Sequence, residues 1–137
     1  MCIGTDDAAI YSAALDSLVH TGRVIILTDS GPHLPSLACK EALSGVRSRL
    51  PVHVVPYSAV SPSTMGKGTD YWTEFSKKFP YADGWYAFSQ IRHTDSNYAA
   101  LTYSHRCGWL CGDGGTVEVT RDASRWKVIK IEVYWMN

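Results

Sequence analysis

Cys107 and Cys111 are separated by three residues in the stretch Cys107-Gly108-Trp109-Leu110-Cys111-Gly112-Asp113-Gly114-Gly115, which also holds four glycines. Two thiols at this spacing can bond to each other, hold a metal or, if reduced, attack an electrophile. A disulfide closing so small a loop adds little chain-entropy stabilisation and mainly fixes the loop's shape. Redox chemistry needs a thiolate stabilised by a helix N-terminus or a positive neighbour. His105 and Arg106 are adjacent in sequence, but strand-like sequence precedes the cysteines and the spacing is not Cys-x-x-Cys. A structural zinc site needs four ligands. His33, Cys39 and His105 are suitable types, and nothing in the sequence gathers them. The cysteines are therefore expected to be a structural pair, with neither metal nor cofactor, and the glycines to supply positive φ and close backbone approach.

Two further groups of side chains could carry function. Cys107, His105 and Asp113 can be written as a nucleophile–histidine–carboxylate set, but such a set is defined by geometry rather than by proximity in sequence. A lone strand histidine, like His93 or His105, is more often solvated or hydrogen-bonded than catalytic. The chain also holds five tryptophans and eight tyrosines. Most are expected to fill an interface between helices and sheet, where large rings dominate packing. Trp109 differs, because it sits at the tip of the glycine loop. Exposed there, it suits a ligand, a protein partner or a second copy of the chain; folded back, it becomes a lid. With it, Trp85, Tyr103 and His105 are the candidate binding residues.

The elements that position these groups read clearly in part. Asp6-Asp7 offers an N-cap, and Ile10, Tyr11, Ala14, Leu15, Leu18 and Val19 mark one apolar helix face that stops at Gly22. Residues 23–28 suit a strand buried on both faces. A second helix is expected over 36–50 and a short edge strand over 52–57, where Pro56 limits pairing. Residues 58–68 read as a mobile surface loop. Asp70 can cap a third helix carrying Tyr71, Phe75 and Phe79, ended by Pro80. Four strands follow, over 85–93, 98–106, 116–121 and 126–135, with short connections that favour an antiparallel meander. In the last strand Ile129, Ile131, Val133 and Trp135 are expected to face the helices and Lys130 and Glu132 the solvent. Trp126 and Val128 have the wrong parity for this, and a bulge between Val128 and Ile129 reconciles them.

Helices first and strands last define an α+β fold, with N-terminal helices on one face of a C-terminal antiparallel meander. A length of 137 residues fits one domain over 1–137 with its own core. A formal net charge of zero argues against nucleic-acid binding, which calls for a basic excess. No stretch approaches the ~18 apolar residues of a membrane span, and no signal peptide is visible. The start Met1-Cys2-Ile3-Gly4 reads either as a natural cytosolic start or as a methionine before an exported chain, with Cys2 left from a lipoprotein cleavage site.

Residues 67–137 resemble a family of small, uncharacterised bacterial proteins. The matching pattern is Phe75–Pro80 closing a helix, a strand pair over Trp85–Arg106, the loop Cys107–Gly115, then Trp126–Val128 and Trp135–Asn137. In the members it resembles, the loop reads Cys-Gly-Gly-Leu-Cys-Gly, and Trp109 replaces the second glycine here. The resemblance supports the fold and the loop and implies no reaction. The layout is also similar to cystatin or nuclear-transport-factor-like cones, an analogy of fold alone.

The function expected from these residues is a non-catalytic domain that binds a small ligand or a protein partner. Its site would be built from the cysteine-glycine loop, the 58–68 loop and aromatic residues at the open end of the sheet. The alternative is a small cleft enzyme, a hydrolase, isomerase or thiol enzyme, using His105 or Cys107. Self-association through Trp109 is compatible with the first.

Overall fold

The computed structural model describes residues 6–19, 23–66 and 69–136. Helix α1, Asp7–Leu18, buries Asp7, Ile10, Tyr11, Ala14 and Leu15, the i, i+3, i+4 stripe of a helix packed on a core. Asp6 occupies the N-cap position without capping. Its carboxylate instead accepts from Arg121 Nη1 and Trp126 Nε1, each at 3.1 Å, and ties the start of α1 to the far end of the sheet. Strand β1, Val24–Thr28, and strand β2, Val52–Val55, flank helix α2, Lys40–Leu43.

The second helix is one turn long, not the span 36–50 expected from sequence. The backbone around α2 is claimed by other groups. The Ala38 amide donates to the Asp29 carbonyl at 3.1 Å and the Arg47 amide to Ser12 Oγ at 2.9 Å. Residues 58–66 also correct the reading of a mobile loop. They form a 3-10 turn over Tyr57–Ala59 and helix α3, Pro62–Met65, with Pro62 in the first turn, where a missing N–H costs nothing. Lys67 and Gly68 lie outside the described residues. Helix α4, Thr69–Lys78, holds Asp70 in its first turn.

Five strands follow: β3 Ala82–Phe88, β4 Arg92–Asp95, β5 Tyr98–Gly108, β6 Cys111–Asp122 and β7 Arg125–Met136. The sheet runs β2-β1-β3-β5-β6-β7, with β4 on β5 beyond the end of β3. The strand expected over 85–93 is thus broken in two. The break is at Ser89, whose amide donates to the Thr102 carbonyl and whose Oγ accepts from the Thr102 amide, both at 2.9 Å.

The α+β class stands, and the antiparallel series β3-β5-β6-β7 is present. The sheet is larger than the expected meander and mixed, because β1 pairs in parallel with both β2 and β3. Helices cover both of its faces, not one as in the cone analogy. On one face α1 and α2 pack on Ile25, Leu27, Phe88, Leu101, Tyr103, Val117 and Val119. On the other, Met65 of α3 and Tyr71 and Phe75 of α4 pack on Ile26, Trp85 and Ala87.

Strand β7 corrects a second expectation. Ile129, Ile131 and Val133 are 53, 37 and 44 % exposed, while Trp126 and Val128 pack on the core. Two bulges set which residues of β7 change face. The first falls where sequence parity demands one: Glu118 pairs with Lys130 and Val119 with Val128, so Ile129 is extra. The second makes Tyr134 extra, since Gly115 pairs with Val133 and Gly114 with Trp135. Ile131 and Val133, opposite Val117 and Gly115, are on the α1 face as expected but stand exposed on the edge strand, and Trp135 turns to the opposite face.

Candidate functional site

The cysteines lie in a hairpin rather than an open loop. Strand β5 runs to Gly108, which pairs with Cys111, and Trp109-Leu110 is a two-residue turn. The register shifts between Arg106 and Gly108, so Cys107 is the bulged residue. Its sulfur is bonded to that of Cys111, with the Cα atoms 5.0 Å apart. Cys39 is disulfide-bonded too, and the described residues contain no free thiol.

The glycines serve close approach and not positive φ, which among the described glycines occurs at Gly66. A Cβ on Gly114 would collide with the Trp135 indole, and one on Gly115 with the Glu132 carbonyl oxygen. Trp135 can lie flat over β6 because Gly114 has no side chain. There its ring meets His33, 5.1 Å between centroids, and the Arg106 guanidinium, 5.9 Å away.

Strand alternation divides the four candidate binding residues between two sites. Trp85 of β3 pairs with Arg106 of β5, and Tyr86 with His105. Trp85 and Arg106 therefore share the α3–α4 face, with Trp109 at the hairpin turn beside them. Tyr103 and His105 share the other face.

On the α3–α4 face is a cavity of about 240 Å³ lined by Trp85, Arg106 and Trp109, by Tyr57, Tyr71 and Trp72, and by Pro32, Pro62 and Gly66. Trp85 is 3 % exposed and forms its floor, and Trp109, 57 % exposed, forms its rim. The Trp85 ring stands edge-on to Tyr57, 6.1 Å between centroids, and Trp72 stands edge-on to Tyr71 at 4.8 Å. Tyr71 donates its hydroxyl proton to the Val60 carbonyl and accepts the Trp85 indole N–H at 2.8 Å. Burial raises the Tyr71 phenol to about 12, against the Trp85 hydrogen bond and the Arg106 charge, so it stays protonated. No carboxylate of the described residues pairs with Arg106, and none lines the cavity.

On the opposite face Asp113 organises a polar cluster. His105 Nδ1 is 3.0 Å from Asp113 Oδ1, and the Tyr103 hydroxyl donates to Asp113 Oδ2 at 2.7 Å. The Tyr86 ring stacks on His105 with centroids 4.1 Å apart. Burial lowers the His105 imidazole below its ordinary range, opposed by the hydrogen bond and charge of Asp113. His105 borders a second cavity with Tyr86 and the disulfide. The histidine and carboxylate of the triad written from sequence do meet, but Cys107 is bonded to Cys111 and supplies no nucleophile. Among the described residues no cluster of three or more His, Cys, Asp or Glu side chains could hold a metal ion.

Tyr57, Tyr71, Trp72 and Arg106 were not among the candidate site residues read from sequence. Period-2 alternation from His105 places Arg106 on the far face, and that signal was available. Nothing local says that α4 returns over Trp85. Comparison with protein-family models, with curated proteins and with solved structures finds no match to this chain.

Proposed function

We propose that this protein is a non-catalytic binding domain that takes a small, flat, apolar-bodied ligand in the aromatic cavity. The observation that carries the reading is the convergence of Tyr57, Tyr71, Trp72, Trp85 and Trp109 on one open cavity of about 240 Å³. A buried apolar engineered cavity of ~150 Å³ accepts benzene, and drug-sized sites begin near ~300 Å³. The volume therefore suits one or two fused rings. Aromatic walls reward a ring with edge-to-face or offset contacts beyond simple area burial. The hydrogen bond between Tyr71 and Trp85 fixes the floor before any ligand arrives, which lowers the ordering cost of binding.

Titration of isotope-labelled protein with indole, followed by amide and indole N–H chemical shifts, tests this reading. Shifts are expected at Tyr57, Tyr71, Trp72, Trp85 and Trp109, and Trp72→Ala should weaken binding by about tenfold. Absence of shifts at millimolar indole, or shifts confined to Tyr86, Tyr103 and His105, would overturn it.

A further inference from the structure

Arg106 gives the cavity a sign. Among the described lining residues it is the one charged side chain, and no carboxylate of the described residues pairs with it. Its guanidinium lies over the Trp135 ring, and its stem lies beside Gly112, where an added Cβ would come within 3.1 Å of Cδ. The head group thus has an aromatic plane beside it and its stem runs against β6. A partly buried guanidinium keeps its charge, so it remains a demand for an anion beside an apolar cavity. A planar fork in this position matches a carboxylate in two parallel N–H···O bonds.

Resting on the binding role proposed above, we propose that the ligand is a small aromatic carboxylate, its ring among Tyr57, Trp72 and Trp85 and its acid group on Arg106. The arrangement selects by charge. A neutral ring gains the aromatic contacts alone. A cationic ring of the same shape meets the guanidinium with no acid among the described lining residues to offset it. The cavity seats one or two fused rings beside Arg106, so the acid lies within a few bonds of the ring.

Calorimetric titration with indole-3-acetate, indole-3-acetamide and tryptamine separates ring recognition from charge recognition. The acid is expected to bind about ten- to hundredfold tighter than the amide, the range for a hydrogen bond to a charged group, and tryptamine more weakly than either. Arg106→Gln should abolish the acid's advantage over the amide, with unshifted Trp85 and Tyr71 resonances in the free variant showing that its cavity is intact. Arg106→Lys should recover part of the difference. Equal affinities for acid and amide, or an acid preference that survives Arg106→Gln, would overturn the charge assignment and leave the aromatic site standing. Binding of none of the three would overturn both. A capped peptide ending in tryptophan presents the same ring and acid group. If it bound where indole-3-acetate did not, a free small-molecule ligand would be excluded.

Discussion

The Tyr71 hydroxyl accepts the indole N–H of Trp85 at 2.8 Å while donating to the Val60 carbonyl. One phenol thus joins helix α4, strand β3 and the segment before α3 at the floor of the cavity. Trp85 is 3 % exposed, so its N–H has no ready access to water if that acceptor is lost. Tyr71→Phe should cost about 1–3 kcal/mol, the penalty for a buried donor left unpaired. Chemical denaturation will give the value, and a cost below about 0.5 kcal/mol would show that the floor does not depend on this bond.

The two glycines beneath β7 should respond differently to the same change. Gly114→Ala places a methyl group against the Trp135 side chain, whereas Gly115→Ala places one against the Glu132 backbone. Overpacking of this kind costs about 1–3 kcal/mol. Trp135→Leu should recover much of the loss from Gly114→Ala and none from Gly115→Ala, as non-additivity in a double-mutant cycle. Equal rescue of both would mean that the indole does not lie over Gly114.

Acidification should weaken the fold through His105. Burial holds its folded value below the ordinary 6.5, so the unfolded chain takes up the proton first. The stability this confers is complete above about pH 6.5 and is lost as pH falls toward the folded value. Thermal melts between about pH 7.5 and about pH 5.5 should show a decline in the parent chain that His105→Gln reduces. Identical slopes for the two proteins would remove His105 from the account.

Joint replacement of Cys107 and Cys111 by serine should leave the domain folded. The loop they close is short, and by chain entropy the bridge contributes about 2 kcal/mol or less. Its larger effect should be on Trp109, which sits in the turn between the two cysteines. Affinity for indole-3-acetate should fall several-fold while the far-ultraviolet spectrum is retained. Unaltered affinity would show that the bridge does not position the rim.

Burial across the sheet should decide what truncation costs. Leu101 is fully buried, and Leu101→Ala should cost about 2–5 kcal/mol. Ile129 is the extra residue of a bulge and 53 % exposed, and Ile129→Ala should stay within about 0.5 kcal/mol of neutral. Urea midpoints will rank the two, and a reversed order would place the sheet's buried face wrongly.

Local physics made part of this legible from sequence. The stripe of Ile10, Tyr11, Ala14 and Leu15 announces α1, the aliphatic run of β1 announces a central strand, and parity within 126–135 announces its first bulge. The parallel pairing of β1 with β2 and β3 leaves no such trace, because no turn encodes it. The second bulge was missed too, since Tyr134 and Trp135 are both large and alternation cannot say which is extra. At the site, Trp85 and Trp109 stand out as residues. Their separation from Tyr103 and His105 follows from strand register, and their union with Tyr71 and Trp72 from the return of α4 over the sheet.

The sheet ends at β2 on one side and β7 on the other. The first margin is four residues long and is followed by Pro56. The second is twelve residues long and carries exposed Ile129, Ile131, Val133, Tyr134 and Met136. A long, flat margin of that composition is a template on which another chain can add strand by strand. Here it is kinked by both bulges, and Lys127 and Lys130 break up its apolar run. The consequence is colloidal: bulges and lysines on an exposed margin are devices that oppose such addition. Lys130→Val, which makes the run from Val128 to Ile131 continuous, is the substitution that would turn this margin toward aggregation.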